Sequence, residues 1–577
     1  MTGAEKILNA ENYNQFDWYP KELIKLAKVE PEVFVEDTYK LPETFNNPNV
    51  PLYKTIREIN DLNISLLNKR VGIMAIKEIL TGELKLEDLK NLENNELSEE
   101  LITKLRKIQN SADKDTRLNV DRAIEKAILH HVKKVNENHN ESESIRFREI
   151  EKMDSNTLYS MIVFGKDDLY TSSFNGIYKN LKNKLQENGV SNYELLKENN
   201  FLGLKKLLET LASYNKMDEF LENMSTEEKQ KVLDMYIGEI SVITESAAIG
   251  EIIVKMKNDP IIKIIEKSVK KAYEKNKNKE NKAVIFAALG SLIGKESPLA
   301  GSWAKEMANN YKIENKDLVK NEELMNEDGS CVQQYFFYND TKEKNRTNWD
   351  GHLSFKNMLK KYGFGVSWDK DGNITEFSGS NPDYKLEDFG TFIKITNKKN
   401  NGKTLEIYAN KPDHEDEGVE DIKRELRKNN KKVNIAVHRG HSYYTKKTIK
   451  RLPEEAKIVH LGSCGGYGYL DEVLVKNPDA QVISTKGTGT RRINDPLMKS
   501  LNEKILAGEN IDWDKFWKDL SERKSGRGIK IKKDANFKNY IPPNGNIGAK
   551  LVSLYYKNYT PETKVASVDE DWDNLEL

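Results

Sequence analysis

The chain has 577 residues, enough for two or more domains, and its 92 basic and 92 acidic side chains leave a formal net charge of zero. This balance gives no overall basic field and argues against a nucleic-acid partner recruited by charge. A composition of 32% charged and 37% hydrophobic residues is that of a soluble protein, and two cysteines, Cys331 and Cys464, exclude a disulfide scaffold and fit a reduced compartment.

No membrane span is expected, because the longest apolar segment, 283–293, is shorter than the ~20 residues that a crossing helix needs. The first residues lack the basic and apolar regions of a secretion signal, so the sequence as given predicts a cytoplasmic protein, with export by a removed signal left open. Abundant Lys and Asn with few Pro indicate a bacterium with a low-GC genome.

Residues 1–290 show helical periodicity of apolar residues and predict an all-α N-terminal region. The pattern is clearest at 120–135 and 261–272. No catalytic constellation occurs in this region. Its expected role is therefore regulatory, or the binding of a protein partner.

Two further helices are predicted at 202–220 and 227–243, the second of them N-capped by Ser225. The Lys- and Asn-rich stretch 271–282 predicts the end of a helix followed by a solvated linker. A connecting segment is expected at 291–324.

Residues 325–560 predict an α/β domain, and 561–577 form an acidic tail. Strands and helices alternate from about residue 405 onward, which favours a mostly parallel sheet flanked by helices. The predicted elements are a strand at 332–338, a helix at 354–362, a hairpin at 368–377, two strands within 390–408 around Asn401-Gly402, a helix at 417–428, a helix at 470–476 and a strand at 480–484.

Within this domain two short apolar runs, 433–437 and 457–462, resemble parallel strands that are buried on both faces. Residues 445–452 between them predict a short crossover helix. A direct crossover makes the strands parallel neighbours, about 4.8 Å apart, with their carboxyl ends at the edge where open α/β sheets bind ligands. His441 follows the first run and Cys464 the second, so the two side chains are expected within reach of each other.

The residues around Cys464 suit a nucleophilic thiolate. A nearby imidazole, the exposed amides of a Gly-rich turn and a helix beginning near Leu470 all favour ionisation of the thiol. The oxyanion of an acyl intermediate is expected to be held by the backbone N–H groups of Ser442, Cys464 and Gly465.

A small residue, Gly and His after one strand, followed by an apolar strand that ends in a small residue and Cys, resembles the clan CD cysteine peptidases. These have the caspase-like fold shared by caspases, gingipains, clostripain, legumain and separase. The resemblance covers about 331–556 and implies that Cys464 is the nucleophile and His441 the base. Two features differ: Ser442 follows the base where the family usually has Gly, and 22 residues separate His441 from Cys464, against roughly 50 in caspases.

Other roles for the histidines remain open. His438 is a rival base, although its position at the end of the strand favours a structural role, and His460 is expected inside the second strand. His438, His441, His460 and Cys464 also offer a zinc ligand set. Side-chain direction along a strand and the lack of supporting carboxylates argue against zinc.

The loop after the last strand lies at the same edge of the predicted sheet. In the caspase-like family this region shapes the pocket for the residue before the scissile bond, so the resemblance implies a substrate-binding role here. The candidates are Thr485, Lys486, Gly487, Arg491 and Asp495. Arg491 and Arg492 would suit an acidic substrate side chain, whereas Asp471, Glu472 and Asp495 would suit a basic one, and ordinary surface charge is equally open.

The sequence therefore predicts a cysteine endopeptidase that acts on a protein or peptide substrate through a thioacyl-enzyme intermediate. That chemistry requires no metal and no organic cofactor. Calcium is required in parts of the family, but this chain has no calcium-loop pattern. The alternative is a non-catalytic caspase-like scaffold whose helical N-terminal region binds a protein partner.

Overall fold

The computed structural model describes residues 54–559, with gaps at 56–57, 60, 112–113, 167, 315–316, 341–348, 398–401 and 526–527. The predicted acidic tail, the start of the helical region and the turn residue Asn401 lie outside the described residues. The chain divides into two compact units, Met1–Leu207 and Leu208–Leu577. This division falls well before residue 290, where the sequence suggested that the helical region ends.

The described residues of the first unit form mainly α-helices, with a short 3-10 helix at Ile150–Lys152. They are α1 (Leu66–Met74), α2 (Ile76–Leu80), α3 (Leu86–Glu93), α4 (Glu99–Ser111), α5 (Lys114–Glu137), α6 (Glu143–Arg146), α7 (Ser155–Phe164), α8 (Thr171–Asn188) and α9 (Asn192–Glu198). Helix α5 confirms the periodicity read at 120–135, because Val120, Ile124 and Ile128 are fully buried. The next helix, α10 (Leu204–Ser213), spans the division between the units.

The second unit begins with further helices. They are α11 (Met217–Glu222), α12 (Thr226–Glu239), α13 (Ala247–Lys255), α14 (Ile261–Asn276), α15 (Glu280–Glu296) and α16 (Ser302–Asn310). Ser225 caps α12 as predicted, since its hydroxyl accepts the N–H of Glu228 and the Glu228 carboxylate accepts the N–H of Ser225.

One sequence-based expectation for these helices was wrong, and a second, that a helix ends within 271–282 and is followed by a linker, was right only in part. The single helix at 202–220 is two helices, because Asn215 adopts a left-handed conformation with φ of 59° and interrupts the chain between them. The linker at 271–282 is almost absent, since α14 continues to Asn276 and α15 starts at Glu280. Helices also continue to Asn310, into the expected connecting segment.

The rest of the second unit is a mixed α/β domain around an eight-stranded sheet. The strands of the domain, inside and outside this sheet, are β1 (Leu318–Val319), β2 (Ser330–Phe336), β3 (Phe364–Trp368), β4 (Ile374–Gly379), β5 (Tyr384–Asp388), β6 (Phe392–Asn397), β7 (Thr404–Asn410), β8 (Ile435–His438), β9 (Ile458–Leu461), β10 (Gln481–Thr485), β11 (Ile511–Asp512) and β12 (Tyr540–Ile541). Its helices are α17 (Asp350–Lys361), α18 (Glu415–Lys428), α19 (Thr445–Lys450), α20 (Leu470–Lys476), α21 (Arg491–Ala507), α22 (Trp513–Glu522) and α23 (Ile547–Asn558).

The sheet has the strand order β12-β10-β9-β8-β2-β7-β6-β5. The five strands from β10 to β7 are parallel, and β12, β6 and β5 pair antiparallel to their neighbours. Strands β3 and β4 form the separate hairpin predicted at 368–377, although the hairpin starts earlier, at Phe364. An all-α N-terminal region followed by an α/β domain is thus confirmed.

Helices cover both faces of the sheet. One face packs against α17, α21 and α22 through a large apolar cluster that includes Phe355, Leu497 and Trp513. The other face packs against α18 through Ile422 and Leu426. Alternate residues of β2 point to the two clusters, which buries this strand on both sides.

Membrane insertion through a helix finds no support in the part of the chain that the structure describes. None of its helices combines the length and the apolar character that a bilayer crossing requires.

The capping box of α12 gives a local test of the fold. Replacing Ser225 with Ala removes the acceptor of the Glu228 N–H and should destabilise the start of the helix by about 1 kcal/mol. Amide hydrogen exchange of the first turn of α12 should become about fivefold faster. Ser142→Ala is the control, because the Ser142 side chain precedes α6 without accepting a capping hydrogen bond. Equal changes in both variants would contradict the capping role.

Candidate active site

The site lies at the carboxyl ends of two adjacent strands. Strands β8 and β9 are parallel neighbours, and His438, the last residue of β8, pairs with Leu461, the last residue of β9. His441 and Cys464 each follow their strand end by the same number of residues. The predicted strands, crossover helix and shared edge are all present, so the backbone brings the two residues to one edge of the sheet.

Two carboxylates surround the imidazole of His441. Its Nε2 lies 2.8 Å from Oδ2 of Asp350 and 3.9 Å from Oδ2 of Asp340. The ring also stacks on Tyr443, with 5.0 Å between the centroids and 9° between the planes. Asp340 is fully buried and accepts the N–H of Gly351, whereas Asp350, the first residue of α17, is half exposed. The Nε2 of His441 is therefore held by a carboxylate, and its other nitrogen, Nδ1, faces a different direction.

Sequence reasoning missed both carboxylates. Asp340 follows β2 closely, and β2 is the neighbour of β8 on the side opposite to β9. The sequence signal for Asp340 was its position as a polar residue just past the end of a predicted strand. Its meaning depended on the strand order, which the sequence did not provide.

The thiol of Cys464 is partly exposed, and its surroundings on balance disfavour the thiolate. Burial raises the pKa of this thiol, and the negative charge of Asp350 raises it further. The Sγ atom of Cys464 lies 4.0 Å from the carbonyl oxygen of Gly489. The resting cysteine is consequently a neutral thiol at pH 7, in contrast to the thiolate that its Gly-rich surroundings suggested.

The turn after Cys464 is tied to the loop after β10. The N–H of Gly465 donates to the carbonyl oxygen of Gly487 at 2.9 Å, so this predicted oxyanion donor is engaged within the protein. The hydrogen bond of the Cys464 backbone N–H with the residue's own sulfur lowers the pKa of the thiol, but burial raises this pKa by more. Ser442, the third predicted donor, begins a short 3-10 turn that leads into α19.

His438 has a structural role in the described site. Its Nε2 lies 3.2 Å from the carbonyl oxygen of His441 and its Nδ1 lies 2.6 Å from Oγ1 of Thr448, which is also 2.7 Å from the hydroxyl of Tyr338. Because a carbonyl only accepts, Nε2 carries the proton and Nδ1 accepts from Thr448. Burial lowers the pKa of His438 to about 4, which keeps the ring neutral. This chain of hydrogen bonds fixes the backbone of His441.

His460 lies inside β9 as predicted and is fully buried. Burial, reinforced by the charge of Arg439, lowers the pKa of His460 to about 3. Among the residues that the structure describes, no group of three or more His, Cys, Asp or Glu side chains is arranged to hold a metal ion.

The predicted substrate-binding residues separate into two sets. Thr485, Lys486 and Gly487 are buried, and the Thr485 hydroxyl donates to the carbonyl oxygen of Ser463 at 2.8 Å. These residues support the site from inside. Arg491, the first residue of α21, is exposed at the edge where Cys464 lies.

Asp495 forms ion pairs with two cations. Its Oδ1 lies 3.0 Å from Nη2 of Arg439 and 3.0 Å from Nζ of Lys361. Burial opposes ionisation of Asp495, but the two positive charges outweigh it and lower the pKa of the carboxyl. Asp495 therefore balances charge beneath the site, which argues against the basic-substrate pocket considered from the sequence.

Comparisons of the chain with models of known protein families, with curated proteins and with solved structures found no match. The chemistry of the site therefore rests on the residues themselves.

The raised pKa of Cys464 predicts a specific pH profile. Only the thiolate reacts with iodoacetamide, so alkylation of Cys464 should be slow at pH 7 and should reach half of its maximal rate at a higher pH than an ordinary thiol. Asp350→Asn removes a charge that disfavours the thiolate and should shift this profile to lower pH. Peptide mass spectrometry over a pH series measures both profiles, with the fully buried Cys331 as internal reference. An unchanged or higher midpoint in Asp350→Asn would contradict the electrostatic coupling.

A second prediction concerns the close approach of Gly489 to the turn before Cys464. A Cβ at Gly489 would lie 2.5 Å from the carbonyl oxygen of Gly462 and 2.6 Å from the carbonyl carbon of Ser463. Gly489→Ala should push the loop away from Cys464 and change the rate of its alkylation at least fivefold. The matched control is Gly468→Ala, because a Cβ there meets nothing within 4 Å and its rate should stay within twofold of wild type. Similar rates in the two variants would show that the close approach does not shape the site.

Proposed function

We propose that this protein is a cysteine endopeptidase with a caspase-like fold, in which Cys464 is the nucleophile and His441 the general base. The observation that supports this most is the parallel pairing of β8 and β9, which ends next to His441 on one strand and Cys464 on the other. The Asp350 carboxylate also interacts with both residues, by contact with His441 and by its charge on Cys464.

The reaction begins from a neutral thiol. His441 takes the proton of the Cys464 thiol as the sulfur attacks the carbonyl carbon of the scissile peptide bond. The negative Asp350, 2.8 Å from Nε2 of His441, stabilises the imidazolium that forms. The same charge disfavours a thiolate without substrate, so proton transfer is coupled to attack.

The imidazolium then protonates the leaving amine, and the C–N bond breaks to give a thioester between Cys464 and the acyl part of the substrate. Water, deprotonated by His441, attacks the thioester, and the thiol regains its proton as the acid product leaves. The backbone N–H groups of Ser442 and Cys464 stabilise the oxyanion in both steps. The Gly465 N–H is bonded to Gly487 and instead fixes the turn.

The substrate is a peptide with an acidic side chain before the scissile bond. Arg491 is the exposed member of the predicted pocket set, and it follows the loop whose Gly489 carbonyl contacts Sγ of Cys464. An exposed guanidinium there forms charge-assisted hydrogen bonds with a carboxylate. Asp495 is already neutralised by Arg439 and Lys361 and offers a basic side chain little attraction.

The proposal is tested with peptide ketones that alkylate an active-site thiol. A ketone with Asp at the first position should label wild type and the control Cys331→Ser once per chain, and faster than a ketone with Lys or Arg. Cys464→Ala should take up no label, and His441→Ala should be labelled at least 100-fold more slowly. Intact-mass spectrometry counts the labels, and cleavage of a mixed peptide library measures turnover.

A wild type that no acidic or basic ketone labels, and that cleaves neither itself nor the library, would overturn the peptidase. The alternative of a scaffold that binds a partner through its helices would then be favoured. Labelling that persists in Cys464→Ala would show that the reactive group lies elsewhere.

A further inference from the structure

Two segments flank Cys464 and bond to each other. We call 463–469 the nucleophile turn and 486–490 the flanking loop. The Gly465 N–H of the turn donates to the Gly487 carbonyl of the loop, and the Gly489 carbonyl of the loop contacts Sγ of Cys464. A shift of either segment therefore moves the atoms around the nucleophile.

Both segments reach one buried ion pair, whose carboxylate belongs to a helix far away in sequence. The ammonium of Lys486, in the flanking loop, pairs with Oε2 of Glu251 in α13. Tyr467, in the nucleophile turn, places its ring 4.2 Å from the same ammonium, and burial together with the charge of Glu251 raises the pKa of its hydroxyl. All three side chains are buried, with exposed fractions of 6% for Lys486, 6% for Tyr467 and 7% for Glu251.

Burial raises the free-energy cost of keeping the two charges in this contact. Burial disfavours the ammonium of Lys486 and lowers its pKa, and the charge of Glu251 opposes that effect. A second contact, from Lys486 Nζ to the carbonyl oxygen of Ala212 at 3.1 Å, completes the surroundings of the ammonium. Removal of one partner from a buried ion pair leaves a charge without compensation. The position of the Lys486 ammonium is therefore fixed by the position of the Glu251 carboxylate.

The helix that carries Glu251 is itself fixed. Helix α13 packs against α15 and α23, all within the second compact unit. At Gly250, next to Glu251, a Cβ would lie 2.7 Å from Ile547 and 2.9 Å from Leu551 of α23. The absence of a side chain at Gly250 allows this close approach, which holds the Glu251 carboxylate at a constant position.

We propose that Glu251 is a positioning residue for the nucleophile: through Lys486 and Tyr467 it sets the positions of the flanking loop and the nucleophile turn, and with them the reactive geometry of Cys464. This inference rests on the proposed peptidase function. It gives α13 a part in the proposed reaction, since Glu251 acts on the site without touching the substrate.

The test compares Glu251→Gln with Glu266→Gln. Glu266 is a matched control, because its carboxylate accepts the N–H groups of Gly301 and Ala304 within the same set of helices and does not reach the site. Labelling by the peptide ketone should slow at least tenfold in Glu251→Gln and less than twofold in Glu266→Gln. Iodoacetamide alkylation of Cys464 should stay equal or increase in Glu251→Gln, because the thiol is present but no longer aligned.

A double variant, Glu251→Gln with Lys486→Gln, replaces the ion pair by two neutral amides and should recover most of the lost labelling rate. A merely structural role would slow the ketone and iodoacetamide reactions together and would not be rescued. Equal loss in Glu266→Gln, or normal labelling in Glu251→Gln, overturns the inference. If Glu251→Gln does not fold, Lys486→Met tests the same contact.

The outcome separates the two proposals. If the ketone does not label wild type, the peptidase proposal fails, and hydrogen exchange then decides the positioning role. Amides of the nucleophile turn and flanking loop should exchange faster in Glu251→Gln and at the wild-type rate in Glu266→Gln. Unchanged exchange in Glu251→Gln overturns the positioning role.

Discussion

The parallel pairing of β8 with β9 is the constraint on which the site depends. Each strand has four residues, all buried, and the pairing aligns their last residues, His438 and Leu461. A slip by one residue would turn every side chain of a strand to the opposite face and put charged or polar groups into the apolar clusters. The burial on both faces therefore fixes the register, and the register fixes where His441 and Cys464 emerge.

The charges around the candidate site and the burial of Cys464 disfavour a thiolate there. His438 and His460 are buried and neutral, so neither adds positive charge that would stabilise a thiolate. The cations beneath the site, Arg439 and Lys361, both pair with Asp495. Asp350 remains as the charge that acts on both residues of the candidate site, since it lies 2.8 Å from Nε2 of His441 and raises the pKa of the Cys464 thiol.

Local sequence patterns predicted the elements that depend on local interactions. The apolar runs gave β8 and β9, and helix α20 begins and ends where its pattern predicted, at Leu470 and Lys476. The residues that were missed depend on contacts that are distant in sequence. Asp340 is identified only when β2 is known to lie beside β8, and Glu251 is 235 residues from the lysine with which it pairs. Composition misled at 271–282, because a Lys-rich segment can also be the exposed face of a helix.

The packing of α23 against α13 and α15 has a consequence for biosynthesis. Residues such as Ile249 and Ile253 are fully buried in the finished protein, yet they leave the ribosome almost 300 residues before Ile547. At roughly 5–20 residues per second, this interval lasts about 15–60 seconds. During translation the apolar surface of α13 therefore lacks this partner until α23 has been made, and the support of Glu251 is completed only then.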